Sequence, residues 1–223
     1  MVVDPQGIAA ALKPKLRGVS HQWAFFVSLV AGAALIVAAP HAKATVAAAI
    51  YAATLSGLLG VSALYHRVNW SSVKKRMMMR RLDHAMIFLL IAGTYTPFAL
   101  LVLQGPLAIV MLVVVWVGAG LGAISQMVWI HAPRWVMSVC GMALGWVAVA
   151  AMPQMADRMG LAAILMLSAG GALYTIGGIV YATKKPDPVP SIFGYHEIFH
   201  ALVIAAAALQ FAVVAAWALP AGA

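Results

Sequence analysis

Residues 196 to 200 read His196-Glu197-Ile198-Phe199-His200, the H-E-x-x-H pattern in which two imidazoles can hold a divalent metal. Residues four apart share a helix face, so His196 and His200 can point at one ion. A third imidazole would complete an open site of three nitrogens and a water, the form that catalysis uses. A closed structural site takes four protein ligands, commonly including thiolates. The chain has one cysteine, Cys140, which excludes a closed thiolate site, a CxxC pair and an intramolecular disulfide. In zinc peptidases the glutamate of this pattern is the general base. Glu197 is therefore an alternative base, and a zincin-like membrane metalloprotease is an alternative reading. The structural alternatives are an interfacial histidine pair and a Glu197 that favours the helix dipole or pairs with Arg67 or Arg81.

The pattern opens the apolar run ALVIAAAALQFAVVAAWAL, so the helix that must position it is a membrane helix. Of 223 residues 65% are hydrophobic and 9% charged, and the mean hydropathy is +0.99. One soluble core cannot hide that much apolar surface. The expectation is an all-α integral membrane protein, because strand-like alternation is absent. A helix needs about 20 apolar residues to cross the hydrocarbon layer. Seven such runs lie near 22–39, 44–66, 82–103, 107–129, 134–152, 161–182 and 196–219, predicting a single seven-transmembrane helix bundle over residues 1–223. Gln104-Gly105-Pro106 leaves room only for a tight antiparallel turn. The segment 68–81 is the one loop with room for a short surface helix. Lys13 to Arg17 followed by an apolar run and Ala42-Lys43-Ala44 is similar to a cleavable leader, but the run is longer than a leader requires, and the first helix is expected to be retained.

Basic residues stay on the cytoplasmic side of a membrane. Twelve of the fourteen, from Lys13, Lys15 and Arg17 through Arg67, Lys74, Lys75, Arg76, Arg80, Arg81 and Arg134 to Lys184 and Lys185, fall at one end of the predicted bundle, leaving Lys43 and Arg158 at the other. This places the N-terminus in the cytoplasm and the C-terminus outside. The net charge of +9 then faces anionic lipid headgroups and calls for no nucleic acid.

Ionisable groups in membrane helices are costly and each is a functional candidate. Asp4, Asp157 and Asp187 fall in tails or loops, which leaves Asp83 and Glu197 as the acids near helices. His21, His66, His84, His131, His196 and His200 lie near or within helices, and His41 lies in the first loop. His66 ends the second predicted helix, Asp83 begins the third, and His196 and His200 begin the seventh. All four share the cytoplasmic end, where His66 can supply the third nitrogen. Asp83 in a first turn also suits the helix dipole, with Arg80 and Arg81 near enough to neutralise it. Ser62, one turn before His66, has the ordinary alternative of bonding the carbonyl four residues back.

Ser62-Ala63-Leu64-Tyr65-His66, Asp83 with Ile91-Ala92-Gly93-Thr94-Tyr95-Thr96-Pro97, and His196-Glu197-Ile198-Phe199-His200 together resemble the hemolysin III branch of the progestin and adiponectin receptor family, over essentially the whole chain. The resemblance implies a zinc ion held by His66, His196 and His200, with Asp83 contacting its water and Ser62 in the same polar cluster. It is to the compact bacterial form, without the receptors' long N-terminal extension, so hormone binding is not carried over. It implies the bacterial cytoplasmic (inner) membrane.

Zinc held by neutral imidazoles acidifies bound water to a pKa of about 7, which suits hydrolysis of a lipid amide or ester, as in the similar ceramidases. Asp83 would take a proton, and Ser62 would steady a developing oxyanion. Iron or cobalt would accept the same ligands. The alternatives are a membrane sensor or regulator with structural zinc, or a pore-forming cytolysin. A membrane lipid is the expected substrate or ligand. The pairs Gly118/Gly122 and Gly141/Gly145 permit close helix approach and a possible homo-oligomer. Pro97 is expected to kink the third helix and Gly93 to leave space beside it, while Met77, Met78 and Met79 can adapt to acyl chains.

Overall fold

In an apolar medium a backbone must satisfy its own polar groups, and long runs of Ala, Leu, Val and Met do so as helices. The computed structural model describes residues 14–129 and 133–221, and the described residues form helices without a β-strand. Asp4, Lys13 and His131 lie outside the described residues. The helices are α1 (Val19–Val37), α2 (Ala42–Arg67), α3 (Val73–Pro97), α4 (Gly105–Val128), α5 (Arg134–Trp146), α6 (Met152–Thr183) and α7 (Tyr195–Val213). Six helical stretches are long and apolar enough to cross a membrane, and the fifth of them, Arg134–Thr183, contains both predicted segments 134–152 and 161–182.

Within that stretch α5 and α6 lie antiparallel. Met142 packs on Gly178, and the Trp146 indole donates to Thr175 Oγ1 at 3.2 Å. Rising numbers on one helix therefore meet falling numbers on the other. Gly160, with φ 80° and ψ 170°, breaks α6 about midway in sequence between these contact partners. A side chain would strain that backbone, and glycine has none.

The segment 68–81 is not a separate surface helix, because its residues from Val73 onward form the start of α3. Lys, Arg and Met are good helix formers, so the helix continues past its apolar part. Asp83 therefore lies about three turns into α3, and the expected helix-dipole role in a first turn falls away. At the other end of α3, Pro97 lacks an N–H, and a π-helical turn, Phe98–Val102, follows it.

Gly93 does not open space. A Cβ there would run into Thr54 Oγ1, so the glycine lets α3 lie directly against α2. Gly118 and Gly122 likewise face Leu144 and Phe88 within the bundle. Tyr51, Val102, Val213 and the small residues Ala44, Ala47 and Ala48 are fully buried, while Val27, Val30, Ile109, Val117, Leu121 and Trp135 lie outside. An apolar exterior suits lipid as the solvent.

Candidate metal centre

Helical spacing assembles the site from three elements. The last turns of α2 carry Ser62 and His66, α3 carries Asp83, and the first two turns of α7 carry His196 and His200. Nitrogens of His66, His196 and His200 all lie within 4.8 Å of one another. His66 Nε2 and His196 Nε2 are 3.1 Å apart, close to the roughly 3.3 Å that two nitrogens keep around a tetrahedral ion with 2.0–2.1 Å bonds. Asp83 Oδ2 is 3.7 Å from His66 Nε2, and Ser62 interacts with the same carboxyl. Among the described residues, His66 lies within ion-pair distance of Asp83, while Arg80 and Arg81 do not.

The donor set suits a metal. The three imidazoles are at most 8% exposed, and His200 Nδ1 is buried without a hydrogen-bond partner. Buried polar atoms are ordinarily satisfied, and three converging nitrogens beside a carboxylate are a donor set that can hold a cation.

Glu197 points to other work. One carboxylate oxygen accepts from Gly194 N at 2.9 Å, closing the N-terminus of α7, and the other pairs with the Arg17 guanidinium. The partner is Arg17, neither Arg67 nor Arg81. Asp187 Oδ1 takes the Tyr195 N–H at 2.9 Å, and the backbones of Lys15 and Leu16 donate to Ser191 and Ile192. These bonds tie the segment before α1 to the loop before α7, directly beside the histidines.

Sequence spacing did not reveal His21. It is 2% exposed and its ring stacks on His200 with centroids 3.8 Å apart and planes 9° apart. The only available signal was its position in the first turn of α1, at the same end of the bundle as His66. Tyr181 was also missed: it flanks His196 at 5.9 Å between ring centroids and bonds His84 Nε2 at 3.3 Å.

A cavity of about 550 Å³ opens beside these groups. His21, Ser62, Asp83, His196 and His200 form its polar end, and Phe88, Phe98, Met111, Met155 and Leu167 belong to its apolar walls. Gly141 and Gly145 also line it, so in these two the missing side chain leaves room. The arrangement can hold a divalent cation beside a carboxylate, at the end of a chamber suited to an aliphatic chain.

A sequence profile described as Haemolysin-III related matches residues 9–211. A relative from Bacillus cereus, "Hemolysin-3", is 32% identical over 188 residues, covering 83% of this chain and 82% of its own. The "Hemolysin-3 homolog" of Bacillus subtilis is 31% identical over 67% of each chain. The human "Monocyte to macrophage differentiation factor" is 27% identical over 73% of this chain and 66% of its own.

Proposed function

The chain belongs to the Haemolysin-III related family, within the wider progestin and adiponectin receptor family, and on that premise we propose that it is a zinc-dependent hydrolase of lipid amides or esters. We place it in a bacterial cytoplasmic membrane, with seven crossings, the N-terminus and metal centre on the cytoplasmic side and the C-terminus outside. The observation that carries the reading is the convergence of nitrogens of His66, His196 and His200, the last two of which line the polar end of an apolar cavity together with Asp83 and Ser62.

His66, His196 and His200 would hold the ion. When bound, zinc supplies Lewis-acid polarisation of a carbonyl and an acidified water at neutral pH. Asp83 takes a proton on its carboxylate, and the Ser62 hydroxyl orients that carboxylate. The apolar walls accept the lipid's chain and exclude bulk water, so the carbonyl is presented where charge interactions are strong.

The same walls count against a water-filled pore through one chain, because a polar stripe is what a pore requires. The capping bond and ion pair of Glu197 count against a zincin-like protease, because its carboxylate is committed away from the three nitrogens. The test is elemental analysis of purified protein with lipid-amide hydrolysis assayed on the same samples. Wild type should carry about one zinc per chain. His66→Ala, His196→Ala and His200→Ala should each lose metal and turnover together. Bound zinc without turnover on any lipid amide or ester would leave a structural or sensor site, and metal-free wild type would remove the centre altogether.

A further inference from the structure

A second polar feature lies at the same end of the bundle and has no part in holding the metal. Arg80 and Arg81 of α3, Arg134 of α5, Gln126 of α4 and Tyr181 of α6 surround a notch of about 20 Å³, room for one water-sized group. We propose that this notch takes one phosphate oxygen of an anionic lipid whose head group sits at the mouth of the notch and whose hydrocarbon chain lies in the apolar cavity.

Charge is the first argument. Three guanidiniums face one notch, and among the described residues none has a carboxylate partner. The nearby acids are engaged elsewhere: Asp83 with His66 and Ser62, Glu197 with Arg17, and Asp187 with the Tyr195 N–H. Arg81 Nε is buried and has no hydrogen-bond partner. Uncompensated cations at a partly buried site are stabilised by an anion, and the planar fork of arginine matches phosphate oxygens two at a time.

Position is the second. Arg134 is held in place, donating to the Tyr195 hydroxyl at 3.1 Å and lying 5.9 Å from the centre of the Tyr181 ring. The exposed indoles of Trp129 and Trp135 mark the depth of a membrane interface, where lipid phosphates reside. The third argument is continuity. His84, Met137 and Tyr181 line both the notch and the large cavity. One phosphate oxygen can enter the notch while the chain of the same molecule turns past Tyr181 into the cavity.

The inference rests on the reading of the cavity as a lipid-chain site, but not on hydrolysis, so its test is binding. Thermal unfolding of the full chain in neutral detergent is followed against dioctanoyl phosphatidic acid, dioctanoyl phosphatidylcholine and inorganic phosphate. Phosphatidic acid should stabilise saturably, with the choline lipid at least about tenfold weaker. Arg80→Gln with Arg134→Gln should raise the half-saturating concentration of phosphatidic acid about tenfold. Arg134→Lys, which keeps the charge and loses the fork, should raise it by less. Lys74→Gln with Lys75→Gln, on exposed lysines of the same helix outside the notch, should leave it unchanged.

Equal stabilisation by both lipids would overturn the head-group site. An equal loss in the lysine variant would overturn it too, by reducing it to the diffuse basic rim. Full stabilisation by inorganic phosphate at the same concentrations would overturn the lipid part. Asp83→Asn should bind phosphatidic acid like wild type, and a protein that binds but never hydrolyses would sink the hydrolase reading while leaving this site standing.

Discussion

Asp83 and Glu197 are both carboxylates beside the histidines, and their surroundings assign them opposite tasks. Asp83 faces His66 and Ser62 at the head of the cavity, so Asp83→Asn should keep zinc and melting temperature but lower turnover by about 10² to 10⁴. Glu197 closes α7 and pairs with a partly exposed Arg17. Glu197→Gln should therefore retain zinc and most turnover while losing about 1 kcal/mol of stability, seen in thermal unfolding. The reverse pattern in these two variants would put Glu197 in the chemistry. His21 acts through His200: His21→Phe preserves a flat ring against the ligand, whereas His21→Ala should weaken metal affinity about tenfold in a chelator competition. Equal affinities in the two variants would remove that role. The three-histidine cluster was legible in the sequence because polar residues in apolar helices stand out and i, i+4 spacing is local. The stack of His21 on His200 and the bond of Glu197 to Arg17 join residues about 180 apart, and no spacing rule reaches that far.

The helices are held at defined depths by polar contacts that their sequence periodicity does not show. The Tyr95 hydroxyl accepts from Ala148 N at 2.7 Å and donates to the carbonyl of Gly145, so one phenol of α3 satisfies the backbone where α5 passes into the 3-10 turn Val147–Ala151. Inside a membrane no water replaces it. Tyr95→Phe should destabilise the protein by about 1–3 kcal/mol, read as denaturant unfolding in micelles. An unchanged midpoint would show that the turn finds another partner. The contact of Gly93 with Thr54 makes a paired forecast. Gly93→Ala should destabilise because its Cβ would run into Thr54 Oγ1 and Cβ, and Thr54→Gly should restore part of the loss. Additive effects in the double-mutant cycle would mean the two helices do not meet there. Sequence reading erred at 68–81, where a hydropathy criterion ends a membrane helix at the first charges but helix propensity carries α3 on, taking Asp83 out of the first turn.

At the scale of the whole chain, the site itself bears on the crossing number. His66 at the end of α2 touches His196 at the start of α7, 3.1 Å away. From that end α3 leads away and α4 returns, as shown by Arg134 at the start of α5 bonding Tyr195. The stretch 134–183 therefore starts and finishes at the histidine end. Its 50 residues would span about 75 Å as one straight helix, far beyond the 30 Å hydrocarbon layer. Two crossings with a reversal near Gly160 reconcile these facts, and they support a total of seven and opposite sides for the two termini. Hydropathy and the distribution of basic residues are what raise the expectation of seven from the sequence. The helical continuity of 134–183 makes a count by length give six. Single cysteines in a Cys140→Ser background decide the matter: Lys43→Cys and Arg158→Cys should react with an impermeant maleimide on intact cells, and Lys75→Cys and Lys185→Cys only after permeabilisation. If Arg158→Cys instead reacts together with Lys185→Cys, the reversal lies outside the membrane and six crossings remain. The two chain termini would then lie on the same side and His196 would open the last helix on the face opposite His66, which is incompatible with a metal centre shared by the two.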